Sequence, residues 1–191
     1  MSDTVRSMTQ PTMINGLYAD DVLTLIETVK QDAGQAQTRW KVSSAWRGGT
    51  HVRSFVDSFH LGGAEYMRRF TIDTDEPEEI GGENLYPNPQ EQLMAALNAC
   101  MMVGYVALCA LHGIKLEKLE IETEGVLDLR GFFDLDDDVP AGYDQLSYTI
   151  RIKGDGTRKQ FAAIHERVRA TSPNFYNLSR AVAMNAKLMV E

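Results

Sequence analysis

The chain has 191 residues, of which 43% are hydrophobic and 24% charged, a composition typical of a soluble globular domain with a substantial core. Its net charge is −8, and no segment collects Lys and Arg densely, which argues against nucleic acid as a partner. Two cysteines are too few for a secreted disulfide framework, and neither they nor the four histidines show metal-ligand spacing. We therefore expect no metal and no cofactor, and the N-terminus, which lacks signal-peptide features, favours a cytoplasmic protein.

The first third of the chain changes from a helical to an alternating pattern. Residues 20–33 repeat apolar side chains at helical spacing behind an Asp start, which predicts a short amphipathic helix. Residues 40–46 alternate apolar and polar side chains, and the WRGG turn then leads to a second strand over residues 51–60. After the Gly62-Gly63 turn, a third strand is predicted with Tyr66, Phe70 and Ile72 on one face.

Residues 93–111 form the most distinctive segment, nineteen residues without a charge. As a helix this segment would be about 28 Å long, enough to cross a bilayer or to form the axis of a soluble core. Asn88 as N-cap, Pro89 at the first helical position and Glu91 at the third form a capping-box pattern, and Gly113 supplies a stop. These signals, and the absence of a basic anchor, favour a buried soluble helix over a membrane span.

The last third of the chain completes an α+β pattern. Strands are predicted over residues 116–129 and 146–154, a helix over 157–171 and a closing strand over 182–190. The order of the elements, with no linker rich in Gly, Ser or Pro, predicts one α+β domain. A single sheet covers one side of a helix that is apolar all round, so we expect a second subunit to cover the rest, in a homodimer.

Cys100 allows two interpretations. A cysteine within an apolar helix is most often a small core residue, whereas a reactive thiol needs a cation to stabilise its thiolate. Cys100 lies about 18 Å past the helix start, too far for the helix dipole, so such a cation would come from another segment. Candidate cations in the early strands are Arg47, Arg53, Arg68 and Arg69. Cys109 lies about 13 Å further along the helix, beyond the roughly 7 Å limit for a disulfide, and is predicted to be core.

Several motifs together resemble one known family. The stretch NPQEQLMAALNAC, with WRGG before it and LEIETEG, YTIRI and SPNFYNLSRAV after it, is similar in order and spacing to the OsmC/Ohr family of organic hydroperoxide reductases. The resemblance covers roughly residues 36–190. It implies an α+β fold with antiparallel sheets around a long buried central helix, in an intertwined homodimer. We thus expect an N-terminal extension with a short helix over residues 1–35 and an OsmC-like domain over residues 36–191.

The resemblance also implies a catalytic site. Cys100 matches the cysteine that attacks the peroxide in this family, and the second cysteine, which resolves the sulfenic acid as a disulfide, is replaced by Ser172. Ser172 precedes a proline, and we interpret it as a residue of a type I turn.

The resemblance also implies an Arg that stabilises the thiolate and is itself held by a Glu of the N-P-E motif. Arg53 is the candidate for the Arg, with Arg47 as second choice. Gln90 stands at the Glu position and Glu91 lies one residue further on, where it is predicted to serve as the capping residue.

Two functions from different classes follow. The first is an OsmC-like thiol peroxidase that reduces small apolar organic hydroperoxides through Cys100, assisted by Arg53 and resolved by an external thiol. The second is a non-catalytic OsmC-fold protein that binds a small apolar ligand or acts as a scaffold after loss of the redox pair, which the residues Ser172 and Gln90 motivate. A membrane-anchored protein is a third and less favoured interpretation.

Overall fold

The structure is a computed structural model that describes residues 13–191. The first part of the predicted N-terminal extension, residues 1–12, therefore lies outside the described residues. Contacts along the chain divide it into two compact units, the first ending at Leu93 and the second comprising Met94–Glu191.

The first unit contains an antiparallel sheet built on one long strand. Its elements, in chain order, are β1 (Met13–Ile14), β2 (Leu17–Tyr18), α1 (Ala19–Gln31), β3 (Thr38–Trp40), β4 (Ser43–Gly48), β5 (His51–Leu61) and β6 (Ala64–Thr74). β5 pairs with β6 along its length, while β3 and β4 pair with its two ends. The predicted helix and the three predicted strands are confirmed, and the strand that the alternation placed at residues 40–46 is divided between β3 and β4.

A bulge in β6 changes which residues share a face of this sheet. Ser58 pairs with Met67, and Val56 pairs with Phe70. Two residues of β6, Arg68 and Arg69, therefore lie opposite the single residue Asp57 of β5. Because of the extra residue, Met67 joins Phe70 and Ile72 on one face. The prediction that Tyr66 shares that face is wrong. It assumed that the side chains of β6 alternate between the two faces without interruption, and the bulge interrupts that alternation.

The second unit packs a long helix against a hairpin and a further helix. The boundary between the units falls within α2 (Pro89–Leu111), and the remaining elements are β7 (Leu116–Gly125), α3 (Leu129–Phe132), β8 (Leu146–Gly154), α4 (Arg158–Thr171) and α5 (Pro173–Leu178). β7 and β8 pair antiparallel. The predicted long helix, the β8 strand and the α4 helix are confirmed, whereas the β7 strand ends at Gly125 rather than at residue 129.

One face of α2 forms the core of the second unit. Leu97, Met101, Tyr105 and Cys109 recur every four residues and are at most 3% exposed. Ile164 and Val168 of α4 complete this buried cluster. By length and composition α2 could also cross a membrane, and its buried stripe packs against α4. On the opposite side of α2, Val103 is 68% exposed.

The predicted closing strand is wrong. Residues 181–190 contain no helix or strand, and the chain continues from α5 as irregular backbone. The apolar residues of the alternating pattern, Met184, Leu188 and Val190, are 86–88% exposed. A strand forms where its N–H and C=O groups pair with a neighbouring strand, and within the described chain these residues pair with none.

The segment between β6 and α2 is organised by one buried carboxylate. Asp75 is 1% exposed and accepts hydrogen bonds from the Thr50 hydroxyl at 2.6 Å and from the backbone N–H groups of Glu76, Glu83 and Leu85. The Thr50 hydrogen bond, followed by those of the backbone, lowers the pKa of Asp75 from 3.8 to about 2. Asp75 thus fixes the loop that leads to the start of α2.

Asp75 predicts an acid-sensitive native state. Because its pKa is lower in the folded than in the unfolded chain, its stabilisation is complete above about pH 4 and is lost as the pH falls towards 2. We expect the midpoint of urea unfolding to fall over that interval in the wild type and to fall less steeply in Asp75→Asn, measured by circular dichroism. Asp57→Asn, at an exposed position of β5, should keep the wild-type slope. An Asp75→Asn slope equal to that of the wild type would contradict this assignment.

Candidate active site around Cys100

Cys100 lies on α2, half-buried, beside a serine that is distant in sequence. The Ser172 hydroxyl donates a hydrogen bond to Cys100 Sγ, with 3.4 Å between the two atoms. Ser172 itself is only 5% exposed. The two positions that the resemblance pairs, Cys100 and Ser172, therefore lie in contact, as a thiol and a hydroxyl.

Local sequence explains how Ser172 reaches this place. Its backbone N–H donates to the Val168 carbonyl at the end of α4, and its hydroxyl accepts from the Phe175 N–H at the start of α5. Pro173 follows at the first helical position, where a missing N–H costs nothing. The turn predicted at Ser172 is the first turn of the short helix α5, and Ser172 is the N-cap of that helix.

A second contact holds the start of α5 against α2. The Asn174 side-chain amide donates to the Ala96 carbonyl at 2.9 Å, one helical turn before Cys100. Sequence reasoning missed Asn174, because an Asn after Ser-Pro is also an ordinary turn residue. Together the Asn174 and Ser172 contacts fix the position of the hydroxyl relative to the sulfur.

An apolar cleft of about 340 Å³ opens beside the sulfur. Its walls come from α2, the end of α4 and the start of α5, and the lining residues are Cys100, Val103, Gly104, Val168, Thr171, Ser172 and Pro173. A Cβ at Gly104 would lie 3.3 Å from a Val168 methyl, so the glycine permits α4 to pack closely on α2. The cleft presents the Cys100 side chain on almost wholly apolar walls, which suits a small apolar molecule.

Cys109 has the role that the sequence predicts for it. It is fully buried among the core residues of α2, and burial raises the pKa of its thiol. A buried thiol of this kind behaves as a small apolar side chain. Cys100 is therefore the cysteine that faces a cleft.

The start of α2 confirms the capping box. The Glu91 N–H donates to the Asn88 side chain and the Asn88 N–H donates to the Glu91 carboxylate, each at 2.8 Å. Glu91 is thus a capping residue, as predicted, while Gln90 is half-buried in the first helical turn. Gln92, which sequence reasoning missed, donates from its side-chain amide to the Asp73 carbonyl at 2.7 Å and so ties the helix start to β6.

Arg53 is held by an aspartate of the neighbouring strand. Its Nε–H donates to Asp73 Oδ1 at 2.8 Å, and His51 Nε2 donates to the same oxygen at 2.8 Å. The hydrogen bond between Arg53 and Asp73 is the main cause of both pKa shifts. It lowers the pKa of Asp73 and raises the pKa of Arg53. The partner of Arg53 within the first unit is therefore Asp73, in place of the carboxylate that the resemblance implied at position 90. Arg47, the second choice, lies over the Phe55 ring at 5.6 Å.

Sequence reasoning missed Asp73 because of the β6 bulge. Near the turn, Leu61 of β5 pairs with Ala64 of β6, and the same register continued along the strands would pair Arg53 with Ile72. The bulge shifts the pairing by one residue and places Asp73 opposite Arg53. Arg53 and Asp73 belong to the first unit, and Cys100 and Ser172 to the second.

Within the part of the chain that the structure describes, no group of three or more His, Cys, Asp or Glu side chains could hold a metal ion.

Comparison with known proteins agrees with this architecture. The sequence model of the OsmC-like protein family matches residues 81–187, more than half of the chain and all of the segment that carries Cys100 and Ser172. The chain belongs to the OsmC-like family. A curated relative, the uncharacterized protein YmaD of Bacillus subtilis, is 25% identical to this OsmC-like chain over 118 residues, covering 60% of the chain and 73% of YmaD.

Solved structures of OsmC-like proteins share the fold. An OsmC-like protein from Mycoplasma pneumoniae matches with a TM-score of 0.58 at 13% identity, covering 74% of this chain and 87% of that one. An OsmC-like protein of unknown function from Vibrio cholerae matches with a TM-score of 0.51 at 12% identity, covering 72% and 92%. The predicted fold class, helices combined with antiparallel sheets in an OsmC-like arrangement, is thereby confirmed.

Proposed function

We propose that this OsmC-like protein is a thiol peroxidase that reduces organic hydroperoxides with Cys100 as its nucleophile and an external thiol as its reductant. The observation that carries the proposal is the hydrogen bond from the buried Ser172 hydroxyl to Cys100 Sγ beside an apolar cleft. A hydroxyl donor stabilises negative charge on sulfur, which is the form that attacks a peroxide. The aliphatic walls suit the organic part of the hydroperoxide.

The proposed chemistry needs one cysteine and two equivalents of a monothiol. The Cys100 thiolate attacks the terminal oxygen of the hydroperoxide, the O–O bond breaks, and the alkoxide leaves as an alcohol after taking a proton, while the sulfur becomes a sulfenic acid. A first external thiol forms a mixed disulfide with Cys100 and releases water. A second thiol attacks that disulfide, which restores the Cys100 thiol and leaves an external disulfide.

The surroundings of the sulfur support resolution by an external thiol. A resolving cysteine is replaced by Ser172, whose hydroxyl cannot form a disulfide, and Cys109 is buried in the core. The cleft is open to an incoming small thiol beside Cys100. An electrostatic role of Arg53 towards Cys100 stays a prediction from the family resemblance, and so does the cytoplasmic location.

The direct test is a turnover assay with cumene hydroperoxide and 2-mercaptoethanol. We expect peroxide to be consumed catalytically, with two thiols oxidised per peroxide as the reaction scheme requires. The control omits the thiol, and consumption should then stop after one peroxide per protein chain. Consumption no faster than that of the thiol alone would contradict the proposal.

The second candidate function is a non-catalytic protein that binds a small apolar ligand. The observation in its favour is the cleft itself, which keeps its apolar walls although a serine stands at the resolving position. In that case the turnover assay would show no catalysis, and cumyl alcohol, which lacks the O–O bond, would bind as tightly as the hydroperoxide.

We also propose that the chain acts as a homodimer, because one face of the sheet in the first unit is apolar and exposed. Residues of this face and their exposed fractions are Trp46 at 73%, Met67 at 74%, Phe70 at 58% and Ile72 at 44%. Contiguous apolar patches of this kind mark interaction surfaces. A second copy of the chain is the occupant that the family resemblance favours.

The homodimer predicts a specific effect of charge on this face. We expect Phe70→Lys to weaken dimerisation about tenfold to a hundredfold, from the loss of roughly 1.5–3 kcal/mol of ring burial, measured by sedimentation equilibrium. Thr71→Lys places the same charge on the opposite face of β6 and should leave the dimer intact. A wild-type chain that sediments as a monomer would overturn the proposal, and so would equal effects of the two variants.

A further inference from the structure

A second cavity lies in the unit that contains Cys100, between β8 and α4. Its volume is about 570 Å³, within the usual range for small-molecule sites. Apolar side chains form most of its wall, and these are Tyr148, Ile150 and Ile152 of β8 with Phe161 and Ala162 of α4. The cavity shares no lining residue with the cleft beside Cys100.

Two arginines and a histidine form most of the polar part of this wall. Arg158, His165 and Arg169 all line the cavity from α4. Arg169 also forms an ion pair with Glu166 at 3.2 Å, which partly neutralises it. Arg158 forms no ion pair with any described residue and is exposed, so its guanidinium is available to a ligand.

A buried hydrogen bond sets the orientation of the histidine. Tyr105, which is 1% exposed, lies with its hydroxyl 2.5 Å from His165 Nδ1. Burial raises the pKa of Tyr105, so the phenol keeps its proton and can donate it to Nδ1. In the tautomer that accepts this hydrogen bond at Nδ1, the ring N–H is on Nε2, which lies 3.9 Å from a carboxylate oxygen of Glu166.

We propose that this cavity binds an organic anion with an apolar tail, of which a medium-chain carboxylate is the simplest example. The carboxylate would accept hydrogen bonds from Arg158 and His165, and the chain would lie against Ile150, Ile152 and Phe161. Guanidinium groups bind carboxylates through charge-assisted hydrogen bonds, while the aliphatic wall excludes a compact, strongly hydrated anion such as inorganic phosphate. The proposal concerns a binding site only and does not depend on the chemistry of Cys100.

The test uses decanoate and the full-length protein. Isothermal titration calorimetry should detect decanoate binding, whereas decanol, which lacks the charge, should bind at least about tenfold more weakly, as expected for loss of a charge-assisted hydrogen bond. Arg158→Gln should weaken decanoate binding by a similar factor. The matched control is Lys159→Gln, which removes a neighbouring positive charge of α4 that does not line the cavity. We expect its affinity to be that of the wild type.

The location of the ligand is read from methyl NMR spectra. Decanoate should shift the methyl signals of Ile150 and Ile152 and leave those of Val103, in the Cys100 cleft, unchanged. The proposal is overturned if decanoate does not bind, if decanol binds equally well, or if Lys159→Gln and Arg158→Gln have equal effects. Shifts confined to Val103 would also overturn it, because they would place the ligand in the Cys100 cleft.

Discussion

Replacing Cys100 by serine is expected to lower the rate constant for reduction of cumene hydroperoxide by about 10³-fold or more, because the nucleophile is lost. Serine keeps the size of the side chain and can still accept the hydrogen bond from Ser172, so the fold should be preserved. The measurement is peroxide consumption at saturating 2-mercaptoethanol, compared between variant and wild type.

The matched control for Cys100→Ser is Cys109→Ser. Cys109 is fully buried and faces the core, so its replacement should affect stability and leave the rate constant within a few-fold of the wild type while the protein stays folded. Equal loss of activity in the two variants would show that general damage to α2, and not loss of a nucleophile, explains the effect.

Replacing Ser172 by cysteine is expected to convert the protein to a two-cysteine peroxidase. The Ser172 oxygen lies 3.4 Å from Cys100 Sγ, and a disulfide needs about 2.05 Å between sulfurs, a difference that small rotations of the two side chains can supply. After one equivalent of hydroperoxide, we expect a disulfide between residues 100 and 172, found by mass spectrometry of peptides from the unreduced protein.

The control for this conversion is Ser172→Ala, which removes the hydroxyl and adds no thiol. That variant should form no internal disulfide and should react more slowly than the wild type, because the donor to the sulfur is missing. If Ser172→Cys gives no disulfide although Cys100 is oxidised, the contact between the two positions is not the one described.

Local signals in the sequence were sufficient for the elements that carry Cys100. The capping box of Asn88 and Glu91 depends on residues three apart, and Gly113 has the positive φ of 70° that a helix stop requires. The core role of Cys109 follows from its place on an apolar stripe. Such features depend on spacing along a single helix, which a sequence displays directly.

The partners of Arg53 and Ser172 depend on long-range geometry. Asp73 faces Arg53 because one extra residue in β6 shifts the register, and no residue type marks that position in advance. Ser172 reaches Cys100 across 72 positions of sequence, because the end of α4 and the start of α5 pack against the middle of α2. The family resemblance paired these positions correctly, although the residues alone indicated only a turn.

The closing strand is an element that the sequence pattern predicted and that the described chain does not form. Residues 182–190 have an apolar side chain at every second position from Val182 to Val190, as a half-buried strand would. This spacing describes one face and does not supply a neighbouring strand. The exposed side chains of Met184, Leu188 and Val190 show that the described chain provides no cover for that face.

The proposed function requires that Cys100 is the thiol oxidised by an organic hydroperoxide. The most direct measurement treats the reduced protein with one equivalent of cumene hydroperoxide in the presence of dimedone, which captures sulfenic acids, and maps the adduct by peptide mass spectrometry. We expect one dimedone adduct, on Cys100, with Cys109 unmodified. An unmodified Cys100 after the peroxide has been consumed, or an adduct on Cys109 alone, would contradict it.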